Sequence, residues 1–122
     1  QNHLRSAGRS IRMLHRQAIV HGDLSTNNII IQPSGEAVLI DFGLAKIEFE
    51  TELYGIDLHV LFEILGASHP HRNHAMDAVL EGYTQCEKEL GPPASTPGGD
   101  PIPMDDVIER FDLIRTRVRY HG

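Results

Sequence analysis

The chain has 122 residues, 40% of them hydrophobic, which is one small domain's worth with enough apolar material for a single core. Eleven Lys and Arg against seventeen Asp and Glu give a formal charge of −6, which excludes a wholly basic nucleic-acid coat. The one cysteine, Cys86, cannot form an internal disulfide, and no apolar run approaches the roughly 18–20 residues of a membrane-spanning helix.

The charge is unevenly placed. Residues 1–22 hold Arg5, Arg9, Arg12 and Arg16 and no acid, whereas residues 36–112 hold sixteen acids against Lys46, Arg72, Lys88 and Arg110. Arg115, Arg117 and Arg119 follow, so a polyanion contact would be sought at the two ends. The start, Gln1-Asn2-His3-Leu4-Arg5, has neither a signal-peptide pattern nor an initiator Met and reads as opening inside a helix. The expectation is an intracellular protein, cytoplasmic and/or nuclear, incomplete at its N-terminus.

In chain order, Leu4, Ala7, Ile11 and Leu14 recur at helical spacing within residues 3–17, with the arginines expected on a solvated face. Ala18-Ile19-Val20 is a short apolar run that enters a polar loop at His21. The runs 29–32 and 37–40 are β-rich, equal in length and joined by Pro33-Ser34-Gly35-Glu36, a hairpin connection. Residues 57–66 are apolar nearly all round and predict a buried central helix opening at Asp57. Asn73 is a candidate cap for a helix to about Leu90, with Met76, Val79, Leu80 and Tyr83 on one face. Segment 91–103 carries five of the seven prolines and three glycines and is expected to be a flexible insertion. A last helix starts near Asp105-Asp106 and buries Val107, Phe111, Ile114 and Val118. The result is a mostly α chain around a small β-hairpin.

Chemistry concentrates at the open end of that hairpin. Strands of equal length leave from Asn28 and return to Asp41, so an amide oxygen and a carboxylate flank one opening. Such a hard, partly open oxygen pair suits Mg²⁺, which keeps water and phosphate among its ligands. Asp23, five residues before Asn28, feeds a third oxygen group into the same space. A carboxylate there can orient a hydroxyl and accept its proton.

These residues resemble a known family. His21-Gly22-Asp23-Leu24-Ser25-Thr26-Asn27-Asn28 fits the kinase catalytic-loop pattern H-x-D-L-x-x-x-N, and Asp41-Phe42-Gly43 fits the metal-binding D-F-G. With Asp57-Leu58-His59-Val60-Leu61 and Ser68-His69-Pro70, the chain resembles the small atypical Ser/Thr kinases of the KEOPS/EKC complex, of PRPK type, along nearly its whole length. The resemblance implies a protein-kinase-like C-terminal lobe over 1–122, of the α+β superfamily, without the N-terminal lobe. Within it lie a catalytic loop 21–28, hairpin 29–40, metal motif 41–43 and basic tail 115–122. It implies Asp23 as catalytic base, Asn28 and Asp41 as Mg²⁺ ligands, Ile30 and Ile40 as floor of an adenine pocket for ATP, and Asp57 as a brace beneath the loop. The implied activity is ATP hydrolysis or Ser/Thr phosphorylation supporting threonylcarbamoyladenosine formation on tRNA. The implied partners are the threonylcarbamoyl-transferring KEOPS subunit and, near Arg115, Arg117 and Arg119, tRNA.

Departures narrow the match. Gly22 stands where many kinases keep an arginine that reads a phosphorylated activation loop, and Ser25 stands where a phosphate-contacting lysine is usual. Residues 44–56 are too few for the usual peptide platform, and no Ala-Pro-Glu motif occurs. The 122 residues also lack a G-x-G-x-x-G loop, so negligible activity is expected of this chain alone. Two other readings stand beside the first. A small-molecule phosphotransferase of aminoglycoside or choline type also uses His-Gly-Asp and a later Asp, and a kinase-like lobe can serve as a scaffold without transferring phosphate. Singly, Asp23, Asn28 and Asp41 are also common turn residues, Asp57 a possible helix cap, and His69, His71 and His74 a surface turn rather than a metal site. Cys86 reads as a packing residue, and Arg115, Arg117 and Arg119 read first as partners of a helix C-terminus.

Overall fold

The computed structural model describes residues 2–68 and 71–121, with side chains described for 2–67 and 71–117. Helix α1 (Asn2–His15) and helix α3 (Arg72–Leu90) run side by side in the same direction, as the pairs Arg5–Glu81, Arg12–Glu87 and Arg16–Glu87 step along both. Their backbones touch. A Cβ on Gly8 would lie 1.8 Å from the Val79 carbonyl oxygen, and one on Gly82 would lie 1.8 Å from that of Arg5. Glycine is the side chain this crossing accepts.

Helix α2 (Thr51–Ser68) is apolar nearly all round because it is central. It buries Tyr54, Leu58, Leu61, Phe62 and Leu65 between α1, α3 and the last helix, α4 (Met104–His121). Asp57 is therefore the seventh residue of α2 and not its cap, because the helix starts at Thr51, ahead of the apolar run. Asn73 likewise is not a cap. Helix α3 starts at Arg72, and His71 before it makes no side-chain capping bond. Helix α4 starts one residue before Asp105 and Asp106, which sit in its first turn as expected. It buries Val107, Phe111 and Ile114; the Val118 and Arg119 side chains, and the His69-Pro70 part of the turn, lie outside the described residues.

The hairpin is present. Strand β2 (Ile29–Ile31) pairs antiparallel with β3 (Ala37–Leu39) in the register Ile29↔Leu39, Ile30↔Val38, Ile31↔Ala37. Its connection turns at Gly35, whose N–H donates to Gln32 and whose φ of +91° is glycine territory. Two serines of α1 fasten the far edge of β3: the Ala37 N–H donates to Ser6 Oγ at 2.8 Å, and Ser10 Oγ donates to the Ala37 carbonyl at 2.7 Å. The edge strand is thereby covered rather than left open. A second ribbon was not expected: β1 (Ile19–Val20) pairs with β4 (Lys46–Ile47). It returns the chain after Gly43 to the point where the 21–28 loop begins.

The solvated face expected for the α1 arginines holds for Arg5 and Arg9, which are exposed, and fails for Arg12 and Arg16. Arg12 is fully buried, Arg16 is largely so, and both bind Glu87, while Arg5 and Arg9 pair with Glu81 and Glu89. The basic end and the acidic middle are complementary halves of one helix interface. Segment 91–103 is irregular, as its prolines and glycines predict, and is tied down by Arg16 to the Gly91 carbonyl and Arg12 to the Ile102 carbonyl. Phe49 packs where side chains at Gly98 and Gly99 would stand. Among the described residues, no helix is long and apolar enough to cross a membrane.

Candidate active site

Asp57 is the anchor from which the site is built. Projecting from the middle of α2, and only 3% exposed, it accepts the His21 amide at 2.8 Å on Oδ2 and the Gly22 amide at 2.9 Å on Oδ1. The loop backbone is thus clamped to the most buried helix. The brace implied by the resemblance is the geometry observed, from inside the helix rather than at its end.

From that clamp the loop closes on itself. His21 is fully buried, and its Nδ1 accepts the Asp23 N–H at 3.1 Å. The ring proton then sits on Nε2, which donates to the Ile40 carbonyl at 2.8 Å. His21 is a structural link between the loop and the strand end. Asn28 donates from Nδ2 to both the Asp23 carbonyl at 2.9 Å and the Asp23 carboxylate at 3.1 Å. These two acceptors fix the amide orientation, so Asn28 Oδ1 is the atom turned away from Asp23.

The hairpin supplies the third group. The Ile40 N–H donates to the Asn28 carbonyl at 2.9 Å, which extends the ladder and puts Asp41 one residue past the pair. Asp41 is exposed and holds φ +60°, a left-handed conformation uncommon outside glycine and characteristic of constrained functional positions. Phe42 then lays its ring against His21, with centroids 5.1 Å apart. Leu44 closes over Gly22: a Cβ on Gly22 would lie 2.6 Å from the Leu44 carbonyl oxygen, and the Gly22 φ is +87°. Gly22, read from sequence as an arginine lost, is a position where a side chain meets backbone. Asp23 and Asn28 are thus in direct contact, and the Asp41 backbone follows the last ladder bond at the same hairpin end.

Strand alternation puts Ile30, Val38 and Ile40 on one face of the hairpin, opposite the face by which Ile29 and Leu39 pack on the core. Ile30 is 46% and Ile40 38% exposed, so they form an open apolar strip and not an enclosed pocket among the described residues. The donor types suit a hard divalent cation: the amide oxygen of Asn28, whose Nδ2 is bonded to Asp23, and the exposed carboxylate of Asp41. Among the described residues no cluster of three or more His, Cys, Asp or Glu side chains could hold a metal, His71 and His74 included.

Sequence reasoning missed the polar groups behind the brace. His15 Nε2 lies 2.9 Å from Asp57 Oδ2, and its Nδ1 lies 2.7 Å from Tyr83 Oη. Burial pushes the His15 pKa below its usual value, with the bond to Asp57 pulling the other way, so the contact joins a neutral imidazole to a carboxylate. Burial holds the Tyr83 hydroxyl protonated. The helical stripe had placed Tyr83 as apolar core, and no sequence signal distinguished His15. In the tail, Arg115 binds Asp112 and lies over the Phe62 and Phe111 rings, while Arg117 binds Glu52.

Fold and loop geometry together define the class: the C-terminal, catalytic-loop half of a protein-kinase-like fold. A family model described as RIO domain matches residues 2–50. The chain is 37% identical over 116 residues to a probable serine/threonine-protein kinase BUD32 homolog of Archaeoglobus fulgidus, covering 95% of this chain and 51% of that protein. It is 35% identical over 102 residues to the EKC/KEOPS complex subunit bud32 of Aspergillus clavatus, covering 70% of this chain and 37% of that one. It is 46% identical over 81 residues to a probable bifunctional tRNA threonylcarbamoyladenosine biosynthesis protein of Methanoculleus marisnigri, covering 66% of this chain and 15% of that protein. The chain belongs to the Bud32-type family of atypical, RIO-like kinases, and it spans about half or less of the length of these relatives.

Proposed function

We propose that this chain supplies the catalytic-loop half of an ATP-dependent Ser/Thr kinase or ATPase that works in a KEOPS-type assembly and supports threonylcarbamoyladenosine formation on tRNA. The observation that supports the reading is the Asp23–Asn28 contact beside the Asn28–Ile40 backbone pair, with Asp41 the next residue along the chain. Asn28 Oδ1 and the Asp41 carboxylate would hold Mg²⁺, which when bound to ATP neutralises phosphate charge and polarises the phosphoryl group. Asp23, held by Asn28 through one oxygen, would use the other to orient the attacking hydroxyl or water and take its proton. Ile30 and Ile40 would support the adenine from below.

Family membership supports assembly with the KEOPS subunit that transfers the threonylcarbamoyl group. A tRNA contact at the tail draws on the relatives' names and on Arg115, Arg117 and Arg119. The pairing of Arg115 with Asp112 and of Arg117 with Glu52 favours a structural role for the first two. The test uses the full-length protein. Asp41→Ala should abolish Mg-dependent ATP turnover, and Asp23→Asn should lower it about 10²–10⁴-fold while ATP binding persists. Unchanged turnover in either variant removes that residue from the site, and a full-length protein without Mg-dependent ATP turnover would favour the scaffold reading.

A further inference from the structure

Buried polar side chains are costly unless each finds a partner, and a line of five polar groups, four of them buried, runs behind the loop that carries Asp23. Glu87 on α3 takes two bonds from Arg12 on α1, from Nε at 3.0 Å and from Nη2 at 3.1 Å. Arg12 Nη1 donates to Tyr83 Oη at 3.3 Å. Tyr83 meets His15, His15 meets Asp57, and Asp57 receives the His21 and Gly22 amides. Arg12, Tyr83, His15 and Asp57 are all buried, and among the described residues no buried side-chain nitrogen or oxygen lacks a partner.

The line has a direction. Arginine can only donate and a carboxylate can only accept. Tyr83 Oη accepts from Arg12, so its own proton is free for His15 Nδ1. The imidazole proton must then sit on Nε2, aimed at Asp57. With the proton on Nδ1 instead, the Tyr83 hydroxyl would lose its acceptor and Asp57 would face a ring lone pair. One hydroxyl therefore selects the tautomer that lets Asp57 keep its loop amides. Tyr54 packs edge-on against the same ring at 4.8 Å, which holds the imidazole plane.

We propose that Tyr83 is a positioning residue for the Asp23 loop: its hydroxyl fixes the His15 tautomer and, through His15 and Asp57, the His21 and Gly22 amides. Tyr83 touches no reacting atom. The bonding line stands on geometry alone, and only its effect on turnover rests on the phosphotransfer reading.

Tyr83→Phe in the full-length protein keeps the ring and removes the hydroxyl. The His15 ¹⁵N resonances should leave the single Nε2–H pattern that the unmodified protein shows. Hydrogen exchange of the His21 and Gly22 amides should quicken roughly tenfold, beyond any change in global stability, the size expected for one weakened buried bond. ATP turnover should fall in kcat with KM for ATP unchanged. Unmoved ring signals and amide exchange within twofold of the unmodified protein would overturn the proposal. So would an Nδ1–H or doubly protonated His15 in the unmodified protein, a measurement that needs no variant to fold. Faster exchange in a protein that shows no ATP turnover even unmodified would sink the phosphotransfer reading and leave the positioning role standing.

Discussion

Replacing Gly8 by alanine asks whether the α1–α3 crossing is as close as it looks. The added methyl would lie 1.8 Å from the Val79 carbonyl oxygen, where real Cβ contacts essentially never come within 3.0 Å. The obstacle is backbone on both sides, so no rotamer relieves it, and the helices must part by more than about 1 Å. Overpacking of this kind costs about 1–3 kcal/mol. The separation also stretches the bonds that cross the same interface, from Arg12 to Glu87 and Tyr83 and from Tyr83 to His15, each worth about 1 kcal/mol and more when charged. The combined loss is about 3–5 kcal/mol, much of a small domain's total stability. Denaturant titration followed by circular dichroism measures it. A Gly8→Ala loss below about 1 kcal/mol would show that the helices pack less closely than this and would refute the reasoning.

Two further outcomes follow from the site. Gly22→Ala forces a side chain into φ +87° and against the Leu44 carbonyl, so stability should fall by about 2–3 kcal/mol and turnover of the full-length protein should fall with it; a midpoint unchanged on denaturation would contradict the clamp of Leu44 on Gly22. Acidification should destabilise the fold in two stages. The unfolded chain protonates His15 below about pH 6.5 while the buried ring stays neutral, so stability falls as pH drops through that value, by at most about 1.4 kcal/mol per pH unit. Although burial opposes its charge, Glu87 is held below its usual pKa by Arg12 and Arg16, so its contribution is lost as pH falls below about 4.5. His15→Gln should flatten the upper stage only, and a profile level from pH 7 to 5.5 in the unmodified protein would mean that His15 is charged in the fold.

The α1 arginines show why a helix face can mislead. Arginine at helical spacing reads as solvated because charged groups are rarely buried without partners. For the buried Arg12 and the largely buried Arg16 the partner is Glu87, 75 and 71 residues away on α3, and local periodicity carries no information about which helix will lie alongside. The β1–β4 ribbon escaped for the same reason: two-residue strands become strands by meeting each other. Gly8 and Gly82 also carry no local mark.

What the residues alone determined was whatever depends on short separations along the chain. The hairpin follows from alternation and turn chemistry within 29–40, and its register sets the backbones of Asn28 and Asp41 at one end, with Asp23 bonded to Asn28. The apolar run of α2 marked the centre of the core by composition. Only the tertiary structure decided how that end is held. Asp57 became a brace instead of a cap when α2 placed it beneath the His21 and Gly22 amides, and Tyr83 became polar machinery when α3 brought it to His15. A buried hydrogen bond between distant residues exists only after the helices pack, because its strength comes from the water that packing excludes.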